Sequence, residues 1–106
     1  MADLNGARKK LITALNKGYD MKLLYTTREF LGSEGYPHTM YGISQAVWDE
    51  NRRKYSSQKI YETASLIRLV FYLRDLLFLA QGKSLPMDNE MWNEKRPKEL
   101  LLMEDK

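Results

Sequence analysis

Apolar residues return at helical spacing along much of this chain. Between Leu4 and Lys17 they recur every three or four positions, Asp3 can cap the first turn, and Gly18 can end the helix. A longer segment, Gln58 to Gln81, is apolar on nearly every side in its second half. Helices of that kind form the buried centre of a bundle or part of a subunit interface. The pattern therefore predicts an N-terminal helix and a central helix that the other helices surround.

Three weaker segments also favour helix. Thr27 to Leu31 starts with a capping-box pattern, and Ile43 to Tyr55 has a partly apolar face with cations in its last turn. Asn89 to Lys95 follows a capping aspartate and ends before a proline, after which Lys98 to Met103 forms another turn or frays. These segments complete a predicted set of about four to five helices.

Only two short stretches favour strand, Lys22 to Tyr25 and Thr39 to Tyr41, and a small hairpin beside the helices remains open as an alternative. The glycine-rich segment Gly32 to Gly42 is predicted to be a loop. The resulting fold class is all-α, a small bundle of about four to five helices around the central apolar helix at residues 58–81. One domain is expected over residues 1–106, with a tail that frays from about residue 98.

Composition narrows the classes of protein that fit. The chain has 106 residues, 43% of them hydrophobic, which suffices for one domain with a modest core. Cysteine is absent, which excludes disulfides, thiolate nucleophiles and cysteine-bound zinc. The apolar stretch Leu66–Ala80 is shorter than the roughly 20 residues of a membrane span and contains charged side chains. Because the sequence starts without a signal-peptide pattern, we expect a cytoplasmic protein.

The densest polar patch lies near the middle of the chain. Net charge is +3, and the basic excess falls within the first sixty residues. One interpretation is contact with nucleic-acid phosphates or with a partner; the other is that the cations complement the dipole at the end of the predicted helix. The spacing of the predicted helices does not fit a helix-turn-helix motif. The candidate binding residues are Arg52, Arg53, Lys54, Tyr55 and Lys59, together with Arg8, Lys9 and Lys10.

Aromatic side chains are a second possible source of contacts. The chain has seven tyrosines and two tryptophans, which supply large amphipathic surfaces and are enriched at interfaces. They also occur at the edges of ordinary cores. The candidate interface aromatics are Tyr36, Tyr41, Trp48 and Trp92.

No pattern typical of an active site is found. His38 is the single histidine, and neither a glycine-rich phosphate loop nor a nucleophile elbow occurs. We therefore expect no enzyme, metal or cofactor, but a small binding protein (an adaptor, inhibitor or assembly factor) that acts through a protein–protein interface. The alternative is a nucleic-acid-binding regulator that uses the basic patch around residues 52–59. A homodimer is also expected, because the central helix is apolar on more faces than short neighbours can easily cover.

Overall fold

Three antiparallel strands follow the first helix and precede the other three in the computed structural model, which describes residues 3–19, 23–32, 35 and 37–104. In the sheet, the second strand lies between the first and the third. The fold is therefore of the α/β type. The helices are α1 (Leu4–Gly18), α2 (Leu66–Ala80), α3 (Glu90–Lys95) and α4 (Lys98–Glu104), and the strands are β1 (Leu24–Leu31), β2 (His38–Asp49) and β3 (Lys54–Thr63).

The all-α fold class predicted from the sequence, and the helical bundle with it, is wrong. The predicted helix Thr27–Leu31 lies in β1, and the predicted helix Ile43–Tyr55 is the second half of β2, a turn and the start of β3. The first residues of the predicted central helix, 58–63, also belong to β3. Of the two short stretches that favoured strand, Thr39–Tyr41 lies in β2 and Leu24 and Tyr25 lie in β1, whereas Leu23 is a bend before β1 and Lys22 is outside the described residues.

Pairing between distant segments overrides the local helix signals. Thr26 does not cap a helix, because its hydroxyl accepts a hydrogen bond from Nη1 of Arg8 at 2.5 Å and its backbone lies opposite Ile43 in the sheet. The register places Thr26, Ile43 and Tyr61 side by side on one face, where Ile43 is completely buried. Ile43 and Val47 fit a helical spacing, but they also fit the two-residue period of a strand. The burial of one sheet face decides between the two periods.

The helix predictions near the two ends of the chain are confirmed. Asp3 caps α1 by accepting a hydrogen bond from a first-turn backbone N–H, and Ser65 caps α2 in the same way. Gly82 follows α2 with a φ of 74°, a conformation that favours glycine. The segments predicted at 89–95 and 98–103 correspond to α3 and α4, although the residue that caps α3 is Asn89 and not the predicted Asp88.

The core lies between the helices and one face of the sheet. Helix α2 contacts α1, β2, β3 and α4, so the apolar faces that motivated the expected homodimer are largely covered within the chain. None of the helices in the described part of the chain is long and apolar enough to cross a membrane. The buried hydrophobic residues are Leu15, Leu24, Ile43, Leu69, Tyr72, Leu73, Leu76, Leu85, Trp92 and Leu100.

A buried ionic network joins α2 to the C-terminal segment. The Asp75 side chain has no exposed surface, and its Oδ2 accepts hydrogen bonds from Nε1 of Trp92 at 2.9 Å and from Nε of Arg96 at 2.8 Å. Its other oxygen accepts from Arg74. Both carboxylate oxygens are therefore matched by donors, which buried charges require.

Arg96 also holds the chain that leads into α3. Its Nη2 donates to the backbone oxygen of Pro86 at 2.5 Å, and its Nη1 contacts the sulfur of Met87 at 3.1 Å. Nearby, the backbone N–H of Leu85 donates to Glu104 at the end of α4. The segment between α2 and α3 has no regular secondary structure, and these contacts, together with those of Asp88 with Arg74 and of Met87 with Asn93, fix its path.

Replacing Asp75 by alanine is predicted to destabilise the fold by about 3–5 kcal/mol, because Arg96 would keep a buried positive charge without its carboxylate. The free energy of unfolding in urea measures the effect. The matched control is Asp88→Ala, which removes the exposed partner of Arg74 and should cost no more than about 1 kcal/mol. Equal losses in the two variants would contradict the role given to Asp75.

An aromatic stack joins β3 to α2. The rings of Tyr61 and Tyr72 lie 4.3 Å apart between centroids and nearly parallel. Burial raises the pKa of Tyr61, and burial, with smaller contributions from Glu99 and Tyr61, raises the pKa of Tyr72 to about 12. The neutral form of each phenol is thus the form that the fold accommodates.

The contribution of the neutral Tyr72 phenol to the free energy of unfolding is predicted to be fully present below about pH 10, the ordinary tyrosine pKa. It should be lost as the pH rises toward about 12. In that window the unfolded chain has lost the Tyr72 proton while the folded chain retains it, so ionisation favours unfolding. Urea unfolding at a series of alkaline pH values measures the loss. Tyr72→Phe should show a smaller loss over the same window, and an unchanged pH profile would contradict this assignment.

Candidate interaction site on the β2–β3 hairpin

A short turn connects β2 to β3 and is closed by the pair Asp49 and Lys54. Oδ1 of Asp49 accepts hydrogen bonds from the backbone N–H groups of Asn51 at 3.0 Å and Arg52 at 3.2 Å. The backbone oxygen of Asp49 accepts from the N–H of Arg53 at 2.7 Å. Aspartate favours turns because its side chain can bond the following backbone in this way.

This turn places three residues of the predicted basic patch, Arg52, Arg53 and Lys54, at the tip of a hairpin. Arg52 has 71% of its side chain exposed and makes one long ion pair, 3.9 Å, with Asp49. Arg53 and Lys54 are exposed as well. The interpretation that these cations complement a helix dipole fails, because no helix lies in the 38–63 region. Their charges are therefore available to a partner.

Exposed aromatic side chains stand next to the tip. Trp48 and Tyr55 are cross-strand neighbours, with ring centroids 5.1 Å apart in an edge-to-face arrangement, and they are 44% and 57% exposed. Aromatic cross-strand pairs stabilise two-stranded ribbons. On β1, the hydroxyl of Tyr25 forms a hydrogen bond with Oγ of Ser57, which ties β3 to β1 across β2.

A cleft of about 840 Å³ opens between the hairpin and the end of α1. Asn16 fixes this end of the helix, since its side chain donates to the backbone oxygen of Leu24 at 2.8 Å and accepts from its N–H at 3.0 Å. The wall is mixed, with amide side chains between apolar and aromatic ones. The residues that line this hairpin cleft are Asn16, Leu23, Gln45, Ala46, Val47, Trp48, Tyr55 and Gln58.

Two strained backbone positions lie in this region, one at the hairpin cleft and one in the turn. Leu23 and Arg53 have φ values of 60° and 55°, and in the described part of the chain they are the non-glycine residues with positive φ. Each costs of order 1–2 kcal/mol relative to an ordinary conformation. Leu23 lines the cleft and Arg53 lies at the hairpin tip. Strained residues of this kind concentrate at functional sites.

The other predicted basic residues lie elsewhere. Lys59 forms an ion pair with Glu62 at 2.6 Å, and this hydrogen bond and charge raise the pKa of Lys59. Arg8 and Lys9 line a separate groove against β1, and Lys10 is exposed on α1. The eight predicted residues therefore do not form one patch; Arg52, Arg53, Lys54 and Tyr55 do.

The predicted aromatics also separate. Trp48 lies at the hairpin cleft, whereas Tyr41 is half-buried against the core. Trp92 is only 2% exposed, and its indole donates to Asp75 inside the fold. Tyr36 is outside the described residues.

Several residues of the hairpin cleft were not predicted from the sequence as binding residues, chiefly Leu23, Gln45, Val47 and Gln58. A usable signal existed: the run from Thr39 to Trp48 is rich in β-branched and aromatic residues and ends at an acidic and amide turn. Leu23 could not be found in this way, because its role depends on a left-handed backbone and on the end of α1.

Within the described ranges, no three histidine, aspartate or glutamate side chains are grouped as a metal ion would require. Comparisons with protein-family models, with curated proteins and with solved structures find no significant match to this chain.

Arg53→Gly is predicted to leave stability unchanged or to raise it by up to about 1 kcal/mol, because glycine adopts positive φ without steric cost. Arg52→Gly is the matched control in the same turn, and it should lower stability by about 0.5–1 kcal/mol through added chain entropy. Urea unfolding of both variants measures the difference. A larger loss for Arg53→Gly than for Arg52→Gly would show that this turn has another conformation.

Proposed function

We propose that this chain is a small non-enzymatic binding protein that recognises a protein partner through the hairpin cleft. The observation that carries the proposal is the exposure of large apolar side chains around one concavity. Leu23, Trp48 and Tyr55 are 51%, 44% and 57% exposed and all line it. Tryptophan and tyrosine beside a cleft are the side chains that most often dominate binding energies at protein interfaces.

The charges beside the cleft indicate the chemistry of the partner. Arg52, Arg53 and Lys54 lie at the hairpin tip, next to the aromatic pair. Cations at the rim of an apolar site attract and orient a partner whose complementary rim is acidic. The proposed partner therefore places an apolar side chain in the cleft and carboxylates next to the hairpin tip.

The test is affinity capture with the full chain from a nuclease-treated lysate, followed by measurement of the affinity for the protein retained. Trp48→Ala should weaken binding by at least about 2 kcal/mol, or roughly thirtyfold in Kd. Phe30→Ala is the matched control, since Phe30 is 70% exposed but does not line the cleft. It should bind like the parent, and both variants should retain the parent's circular dichroism spectrum.

Tryptophan fluorescence provides an independent measurement with the same partner. Trp48 is exposed and Trp92 is buried, so a soluble quencher acts mainly on Trp48 in the free protein. Partner binding should protect that fluorescence. A partner that binds Trp48→Ala as tightly as the parent and leaves quenching unchanged would place the interface away from the cleft.

Single-stranded nucleic acid is the second candidate partner, and the position of the cations favours it. Exposed guanidinium groups beside stacking aromatics are the combination that such strands require. Under the protein-binding proposal, the parent's affinity for an oligonucleotide is weak and disappears near physiological salt. Tight, salt-sensitive binding that the double variant Arg52→Gln, Arg53→Gln loses would make nucleic acid the partner instead.

A further inference from the structure

A second concavity of about 320 Å³ lies between α1 and β1. It has no lining residue in common with the hairpin cleft. The wall contains basic, amide and hydroxyl side chains, all of which can donate hydrogen bonds. The residues that line this basic groove are Asn5, Arg8, Lys9, Thr27, Arg28 and Tyr41.

Helical spacing and strand packing bring these residues together. Asn5, Arg8 and Lys9 are three and four positions apart, which puts them on one face of α1. Arg8 is fixed against β1 by its hydrogen bond to the hydroxyl of Thr26. Arg28 is two residues further along β1, so its side chain leaves the sheet on the same face as that of Thr26.

The positive charges of the basic groove have no counter-charge among the described residues. Its described lining includes three cations and no carboxylate, and no described carboxylate forms an ion pair with Arg8, Lys9 or Arg28. Nε of Arg8 is buried without a hydrogen-bond acceptor. Arg96 shows the ordinary solution in this fold, in which Nε of the buried guanidinium meets Asp75. Around Arg8 the corresponding anion is missing from the chain's own described side chains.

We infer that the basic groove binds a small anion of the phosphate class. Guanidinium groups fit phosphate oxygens in a forked geometry, and an ammonium and a hydroxyl add further donors. The volume is at the low end of small-ligand sites, which suits a phosphate group with a small substituent. This inference is independent of the proposed protein partner, because it uses different residues.

The test is titration of the full chain with inorganic phosphate at constant ionic strength, followed by calorimetry and by the amide signals of α1 and β1. Saturable binding is expected, with a matching rise in Tm. Arg28→Gln should weaken it about tenfold, the effect of losing one charged hydrogen bond. Lys17→Gln is the control, because Lys17 is an exposed cation at the other end of α1, and it should bind phosphate like the parent. Lys9→Gln provides a second variant that leaves the contact between Arg8 and Thr26 in place.

Two further ligands distinguish the sources of a phosphate group. Phosphoserine should bind at least as tightly as inorganic phosphate and should compete with it. Binding of a single-stranded oligonucleotide without binding of the two small ligands would overturn the inference. So would a phosphate response that chloride reproduces, or one that Arg28→Gln and Lys17→Gln weaken equally.

Discussion

The C-terminal segment of the structure depends on the hydrogen bonds that the buried carboxylate of Asp75 accepts. Asp75 lies on α2, the helix that also contacts α1 and the sheet, and it accepts hydrogen bonds from Trp92 and Arg96 in the segment beyond. A buried charge that loses its partner is costly, so this segment cannot leave α2 without a large loss of stability. Helix α2 therefore packs against α1 and the sheet and, through Asp75, against the C-terminal segment.

The same arrangement leaves the β2–β3 hairpin exposed to solvent. Helix α1 reaches the sheet at Thr26 and α2 stacks Tyr72 on Tyr61, and both positions are on the same face of the sheet. Residues 47–59 are almost all exposed. That stretch contains the aromatic pair, the cations of the turn and one of the strained backbone positions. The buried core and the proposed binding site therefore lie in different parts of the chain. Substitutions in the core are expected to cost more stability than substitutions of the exposed hairpin side chains.

The sequence predicts the elements whose signals are local. Asp3 and Gly82 mark helix ends, and the apolar run of α2 could be recognised without the structure. Most of the strand residues were missed, although the run from Thr39 to Trp48 favours β structure, because Ile43 and Val47 match helical spacing as well as strand spacing. At the site, Arg52, Arg53 and Trp48 were predicted as binding residues, but their meeting at a hairpin tip depends on the register of β2 with β3. Trp92 shows the reverse case, an aromatic residue that the fold uses internally.

The proposed site exists only if residues 43–59 form a hairpin in solution, and NMR measures their conformation. Strand-type chemical shifts are expected on both sides of the turn. Proton contacts are expected between Trp48 and Tyr55 and between Val47 and Ser56, the pairs opposite each other in the sheet. Helical shifts from Ile43 to Tyr55, with contacts between residues three and four positions apart and none across the strands, would rule out the hairpin and the proposed site with it.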